Sequence, residues 1–239
     1  MPTTPVSTPL FPPNFARGGD APRRQTKQMP IIEAPEMSSA ASPPIVLDEH
    51  CKVKGDTLLR IWLTFRLRTH DRKVASYLPR DLVDRLYAGD LLASGWYPVE
   101  QYLALYGALL RVCGYDEVVA TATDSVTRAL KRGSWKVFVP VLAEFAPETF
   151  CAMGTKRFTL IWKNTFQPGD AAIETFEGGA RVHLTNVPFA SDQAFQGGVS
   201  GGLLAIPQYA NMKAHCSAKL TGKNAVEFQV RWSRNKPGK

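Results

Sequence analysis

Cysteine is scarce. Cys51, Cys113, Cys151 and Cys216 are spread through 239 residues with no Cys-x-x-Cys pair. That spacing suggests neither a disulfide framework nor a zinc knuckle, and a reducing compartment fits it best. No apolar run approaches the ~18–20 residues of a membrane span. The start, Met1-Pro2-Thr3-Thr4-Pro5, has neither the basic residues nor the apolar centre of a secretory signal. A cytoplasmic, soluble protein is expected. Acidic residues are outnumbered, 21 against 29 Lys/Arg, giving a net charge of +8. Such a chain is drawn to anionic partners, but charge speaks to association and not to fold. The sequence also lacks a Gly-x-Ser-x-Gly elbow and a GxxxxGK[ST] phosphate loop.

What the chain has in excess at its start is proline. Residues 1–48 carry ten of the 18 prolines and no Trp, Tyr or Cys. A stretch of this kind cannot bury enough apolar surface to offset its ordering entropy, so a disordered tail is expected. It is either a spacer or a docking tail. In the second case Leu10, Phe11, Pro12 and Pro13 form a short apolar anchor of the polyproline type that partner grooves read.

The centre of the folded part is Gly95-Trp96-Tyr97-Pro98-Val99-Glu100-Gln101-Tyr102. Pro98 suits the first turn of a helix. Val99, Tyr102, Leu103, Tyr106, Leu109, Leu110 and Cys113 then recur at spacings of three and four, and Gly114 stops the run. Trp96 and Tyr97 at the mouth of this helix are either the lid of a core or the wall of a pocket. Before it, 57–69 reads as a helix with Asp56 as N-cap. Shorter helices are expected from residue 70 or 71 toward 77 and over 80–88, with Gly89 as a stop. After it, 116–132 is amphipathic and ends on Lys131 and Arg132, cations that suit a helix C-terminus. Helical stretches at 135–145, interrupted or kinked by Pro140, and 147–162 follow, although 157–163 also reads as a strand.

The period then changes to two. Segments 171–176 and 180–187 alternate around Gly178-Gly179, and 212–220 and 225–232 alternate around Thr221-Gly222-Lys223-Asn224. Between these hairpins, 191–208 is poor in charge and carries Gly197, Gly198, Gly201 and Gly202. We read it as a helix whose glycines allow close approach to a neighbour. The fold class is therefore α+β: N-terminal helices followed by an antiparallel four-stranded β-β-α-β-β unit. One domain is expected over 49–233, with a frayed basic tail at 234–239.

Three marks carry a resemblance. They are Val53-Lys54-Gly55 ahead of the first helix, Trp96-Tyr97-Pro98 with Tyr102, and Cys216, Gly222 and Phe228-Gln229-Val230-Arg231-Trp232 at the end. Over roughly residues 50–232 the chain resembles the haem-NO-binding and 4-vinyl-reductase-like superfamily, and more closely a myxobacterial paralogous family of unknown function. The resemblance implies a module for small ligands or protein partners rather than an enzyme. Related domains often place a second cysteine before the last strand, where this chain has Asn224-Ala225-Val226-Glu227. Haem-binding relatives carry a Tyr-x-Ser-x-Arg clamp, which Tyr77-Leu78-Pro79-Arg80 does not satisfy. No haem, other cofactor or metal is expected.

Nor do the residues assemble catalytic chemistry. His215 and Cys216 are adjacent on an expected strand and point to opposite faces, so they do not share a metal. Asp116 and Glu117 suit a helix N-terminus. Two basic zones, eight Lys/Arg against two Asp over 52–80 and seven Lys/Arg against Glu227 over 213–239, would bind phosphate if they met. The favoured function is a non-enzymatic regulatory sensor or adaptor that binds a small apolar ligand or a protein partner. The candidate ligand-binding residues are Trp96, Tyr97, Tyr102, Trp162 and Leu203. A structural or assembly protein that uses its tail and a homodimer seam, on the face of Tyr102 and Tyr106, is the alternative. A basic nucleic-acid-associated protein is the third reading.

Overall fold

The computed structural model describes residues 47–132 and 138–235. The tail expected over 1–48, with Leu10, Phe11, Pro12 and Pro13, lies outside the described residues up to residue 46, as do Trp135 and residues 236–239.

The chain enters through a short strand, β1 (Lys52–Lys54), that runs straight into α1 (Gly55–Leu67). Asp56 is therefore inside the first turn and not at the N-cap. There it pairs with Arg60 at 2.9 Å. The cap comes from elsewhere: the Gly55 and Asp56 N–H groups donate to the carbonyls of Gly95 and Ala93. A neighbouring loop thus satisfies two of the donors that a helix start leaves free. A side chain at Gly55 would run into the Leu92 carbonyl, so this close approach needs glycine. Helices α2 (Asp71–Ala75) and α3 (Arg80–Ala88) follow, and Gly89 ends α3 with φ +76°.

Trp96–Pro98 is a strand, β2, and not the opening of a helix. It pairs antiparallel with β1, Val53 opposite Tyr97. Pro98 keeps an extended ψ of 135°, and the following helix α4 (Val99–Cys113) begins one residue later. Its first N–H, from Val99, donates to Cys51. The pairing with β1 holds this backbone extended, which the sequence around Pro98 does not reveal. Gly114 joins α4 to α5 (Tyr115–Leu130). Then come α6 (Phe138–Phe145), α7 (Pro147–Lys156), α8 (Phe158–Thr165) and a two-residue strand, β3 (Phe166–Gln167), on the other edge of β1. Residues 158–165 are thus helix, and Pro140 is taken up in the first turn of α6 without interrupting it.

The second sheet has β4 (Asp170–Phe176), β5 (Gly179–Thr185), β6 (Lys213–Gly222) and β7 (Ala225–Ser233) in the order β4-β5-β7-β6, every pair antiparallel. Helix α9 (Gln193–Tyr209) connects the two hairpins. Its N-cap is Asp192, whose carboxylate accepts the Phe195 N–H at 2.8 Å. The α+β class and the β-β-α-β-β order are as the sequence predicts. Alternation decides the faces. Val182, Leu184, Cys216, Val226, Phe228 and Val230 are buried on one side, while Arg181, His183, His215, Gln229 and Arg231 fall on the other.

Helix α9 joins the layers, and its glycines are the reason it can. A Cβ on Gly197 would lie 2.8 Å from Val118, and one on Gly201 would lie 2.6 Å from the Ala122 Cβ and overlap the Val119 carbonyl. The backbones of α5 and α9 therefore approach without intervening side chains. Thr123 Oγ1 lies 2.8 Å from the Val119 carbonyl on its own helix and 3.0 Å from that of Gly201 on α9. On the adjoining face, a Cβ on Gly198 would overlap the Tyr102 hydroxyl of α4.

Candidate functional site

The inward faces of α4, α8, β3 and α9 meet in a cluster of rings. Helical spacing carries Tyr102 and Tyr106 into it from α4, and both are only 3% exposed. Trp162 of α8, 1% exposed, stacks on Phe166 of β3 with centroids 4.7 Å apart. Phe166 meets Tyr102 edge to face at 5.1 Å, and Phe195 of α9 meets Phe189 at 4.9 Å. Phe195 also lies against both Tyr102 and Trp162. Edge-to-face contact of this kind adds to the area each ring buries. The Trp162 Nε1–H donates to the Gly169 carbonyl at 3.0 Å, so the indole is fixed at both ends.

Burial sets the electrostatics here. It pushes the Tyr102 phenol well above its usual range, with Tyr106 and Asp192 adding smaller contributions of the same sign. Tyr106 is also pushed up by burial, which Arg60 partly opposes. Both phenols stay protonated at any physiological pH. Asp192 is raised by burial too, although the Phe195 and Ala194 N–H groups favour its charged form. Two buried thiols are no more reactive: burial pushes both Cys151 and Cys216 up to about 12. A thiol at that value supplies almost no thiolate nucleophile at neutral pH.

The five residues singled out in the sequence separate into two places. Tyr102 and Trp162 lie in the ring cluster, linked through Phe166 and Phe195, and Leu203 is buried on α9. Trp96 and Tyr97 sit on the three-stranded sheet instead. Lys54 lies 4.3 Å over the Trp96 ring. The Tyr97 hydroxyl accepts the Leu92 N–H at 2.7 Å, with the Arg85 guanidinium over its ring at 5.3 Å. This pair fastens the 92–95 loop over the start of α1. The face of Tyr102 and Tyr106 is buried within the fold, which corrects the expectation of a homodimer seam there. Sequence reading missed Phe166, Phe189 and Phe195. Their spacing carries no helical or strand period, since Phe166 is on β3, Phe189 in the connection between β5 and α9, and Phe195 on α9.

The chain has four histidines. His50 is exposed beside Asp48, and His70 is 2.8 Å from Glu117 where α1 meets α5. His183 and His215 both face outward on the four-stranded sheet, but β7 runs between their strands. His183 lies opposite Glu227 and His215 opposite Arg231, so the two do not share a centre. Among the described residues no three His, Cys, Asp or Glu side chains could hold a metal ion, and no helix is long and apolar enough to cross a membrane.

No protein-family profile matches the chain, and no curated protein matches it either. Solved structures do. The fold is similar to an unliganded Fe(II) H-NOX protein from K. algicida at 12% identity, with a TM-score of 0.52, over 78% of this chain and 100% of that one. It is also similar to an oxygen-binding H-NOX domain related to soluble guanylate cyclases at 10% identity, with a TM-score of 0.50, over 77% and 96% of the two chains. The chain therefore has an H-NOX-like fold, in line with the resemblance read from the sequence.

A haem would need a space for a flat macrocycle and an axial ligand. The rings where α4, α8, β3 and α9 meet already contact one another, and the four histidines lie on outer strands, loops or the α1–α5 contact. These residues do not fit a haem.

Proposed function

We propose that this chain is a non-enzymatic regulatory domain in which an apolar ligand much smaller than a haem enters the ring cluster between α4, α8 and α9 by parting rings that touch in its absence, with Tyr102, Trp162 and Leu203 as walls. The observation that carries the reading is the cluster itself: rings from four elements and a glycine-lined helix converge where the helical layer meets the four-stranded sheet. Ligand pockets are mostly apolar with a few polar anchors, and the Tyr102 and Tyr106 hydroxyls are that kind of anchor. The similar fold of an oxygen-binding domain supports the small-ligand reading. Trp96 and Tyr97 act on the site from a distance, by holding the loop and strand from which α4 springs.

Native mass spectrometry of the full-length protein tests this. Extra mass that is lost on denaturation, together with a thermal shift from apolar compounds that Leu203→Ala diminishes, is the expected result. A bare monomer that no apolar compound stabilises would sink it.

A second reading, binding of a protein partner or a further copy of the chain, is favoured by one observation. Phe145 at 78% and Leu160 at 63% exposure stand out with Val141, Met153 and Ile161 on the consecutive helices α6, α7 and α8. Large apolar side chains exposed in one region mark interaction surfaces. In this reading Leu10, Phe11, Pro12 and Pro13 provide a further docking segment. A defined bare oligomer in the same spectrum would favour it.

A further inference from the structure

Between α1 and α5, away from the ring cluster, lies a shallow depression open to solvent. It is lined by Arg60, Leu63 and Thr64 from α1 and by Ser125, Arg128, Ala129 and Arg132 from α5 or its C-terminal edge. Spacings of three and four bring each set onto one helical face.

Three features distinguish it from an ordinary basic surface. Three guanidinium groups surround one depression, and among the described residues neither Arg128 nor Arg132 has an acidic partner. Arg60 is held in place by Asp56 at 2.9 Å and reaches Thr57 at 3.3 Å. Ser125, only 5% exposed as a residue, lines the depression, and its hydroxyl is not among the fully buried unpartnered atoms. Arg128 and Arg132 also suit the negative end of α5. Leu63 and Ala129 supply an apolar wall beside the charges.

We propose that this depression binds a phosphate monoester. Arg60, Arg128 and Arg132 contact its oxygens, Ser125 donates a hydrogen bond to it, and Leu63 and Ala129 meet its apolar body. Arginine forks match phosphate oxygens in geometry as well as charge. The site goes beyond the ligand reading of the ring cluster and does not depend on it.

Phenyl phosphate is the probe, titrated into the full-length protein and followed by two-dimensional NMR. Saturable shifts confined to residues 60–64 and 125–132, competed by inorganic phosphate but not by phenol, are expected. Arg128→Ala with Arg132→Ala should weaken binding at least ~10-fold, since each removes charge-assisted hydrogen bonds. Ser125→Ala should weaken it less, and both variants should keep the wild-type circular dichroism. Lys219→Ala with Lys223→Ala, on the far hairpin, should leave binding unchanged. Absence of saturation, or an equal loss in the lysine variant, would overturn the proposal, the latter by showing a general charge effect. Vesicles containing phosphatidic acid separate the sources. Pelleting that the arginine variant loses assigns the phosphate to a lipid headgroup, and solution binding without pelleting assigns it to a soluble ester.

Discussion

Gly201→Ala tests whether backbone approach is what joins α5 to α9. The added methyl would lie 2.6 Å from the Ala122 Cβ and 3.0 Å from the Thr123 nitrogen, and it would overlap the Val119 carbonyl. Two of these are backbone atoms, so they move only if α5 itself moves. Overpacking of this kind costs about 1–3 kcal/mol. Separation of the helices would also weaken the contact from Thr123 Oγ1 to the Gly201 carbonyl. Against this, alanine is favoured over glycine within a helix by about 1 kcal/mol. The net expectation is a loss of about 1–2 kcal/mol, or roughly 4 °C in Tm for a domain of this size. Gly107 in α4 provides the control, because a Cβ there meets nothing within 4 Å. Gly107→Ala should stabilise by about 0.5–1 kcal/mol. Urea unfolding followed by circular dichroism would measure both. If Gly201→Ala proved as stable as Gly107→Ala, close backbone approach would not be what joins α5 to α9.

Three further changes probe other links. The Glu117 carboxyl is pushed up by burial, but its bonds to His70 and Arg68 outweigh that and leave it below its ordinary value. The stability it contributes is present above the unfolded-state pKa and is lost as pH falls through the lower folded one. Glu117→Gln should therefore cost about 1–3 kcal/mol at neutral pH and flatten the acid limb of the stability curve, whereas an unchanged acid limb would refute the linkage. Trp162→Ala removes a buried indole and its bond to Gly169, and calorimetry should show a loss of about 3–5 kcal/mol. Trp96→Ala, at a half-buried ring under Lys54, should cost less than about 1.5 kcal/mol and leave a cooperative unfolding transition, so a collapsed transition would return Trp96 to the core.

Most of the fold could be read before any coordinates, and the places that could not share one cause. Helices 80–88 and 99–113 and both hairpins follow from period and punctuation, since Leu82 and Leu86, or Val182 and Leu184, repeat at spacings that only one local geometry buries on one side. The strands β1, β2 and β3 are two or three residues long, too short to show a period. Their partners are far apart in sequence: Val53 pairs with both Tyr97 and Phe166. The N-cap assigned to Asp56 failed for the same reason, because distant carbonyls of Ala93 and Gly95 took over the capping.

The candidate site divides similarly. Tyr102, Trp162 and Leu203 are inward because each lies on the apolar face of its own helix, which is a local property of the sequence. That Phe166, Phe189 and Phe195 would complete the same cluster, and that Trp96 and Tyr97 would stand apart from it, depended on how the elements were brought together. The depression between α1 and α5 was likewise invisible, since Arg60 and Arg128 come from helices separated by more than 40 residues of sequence. By itself the sequence determined the α+β class, the β-β-α-β-β order and the close-packing role of the α9 glycines. Local periodicity and the lack of a side chain act within a few residues of themselves. The tertiary structure alone decided which rings and which charges meet, because packing joins faces of elements whose positions along the chain do not encode their neighbours.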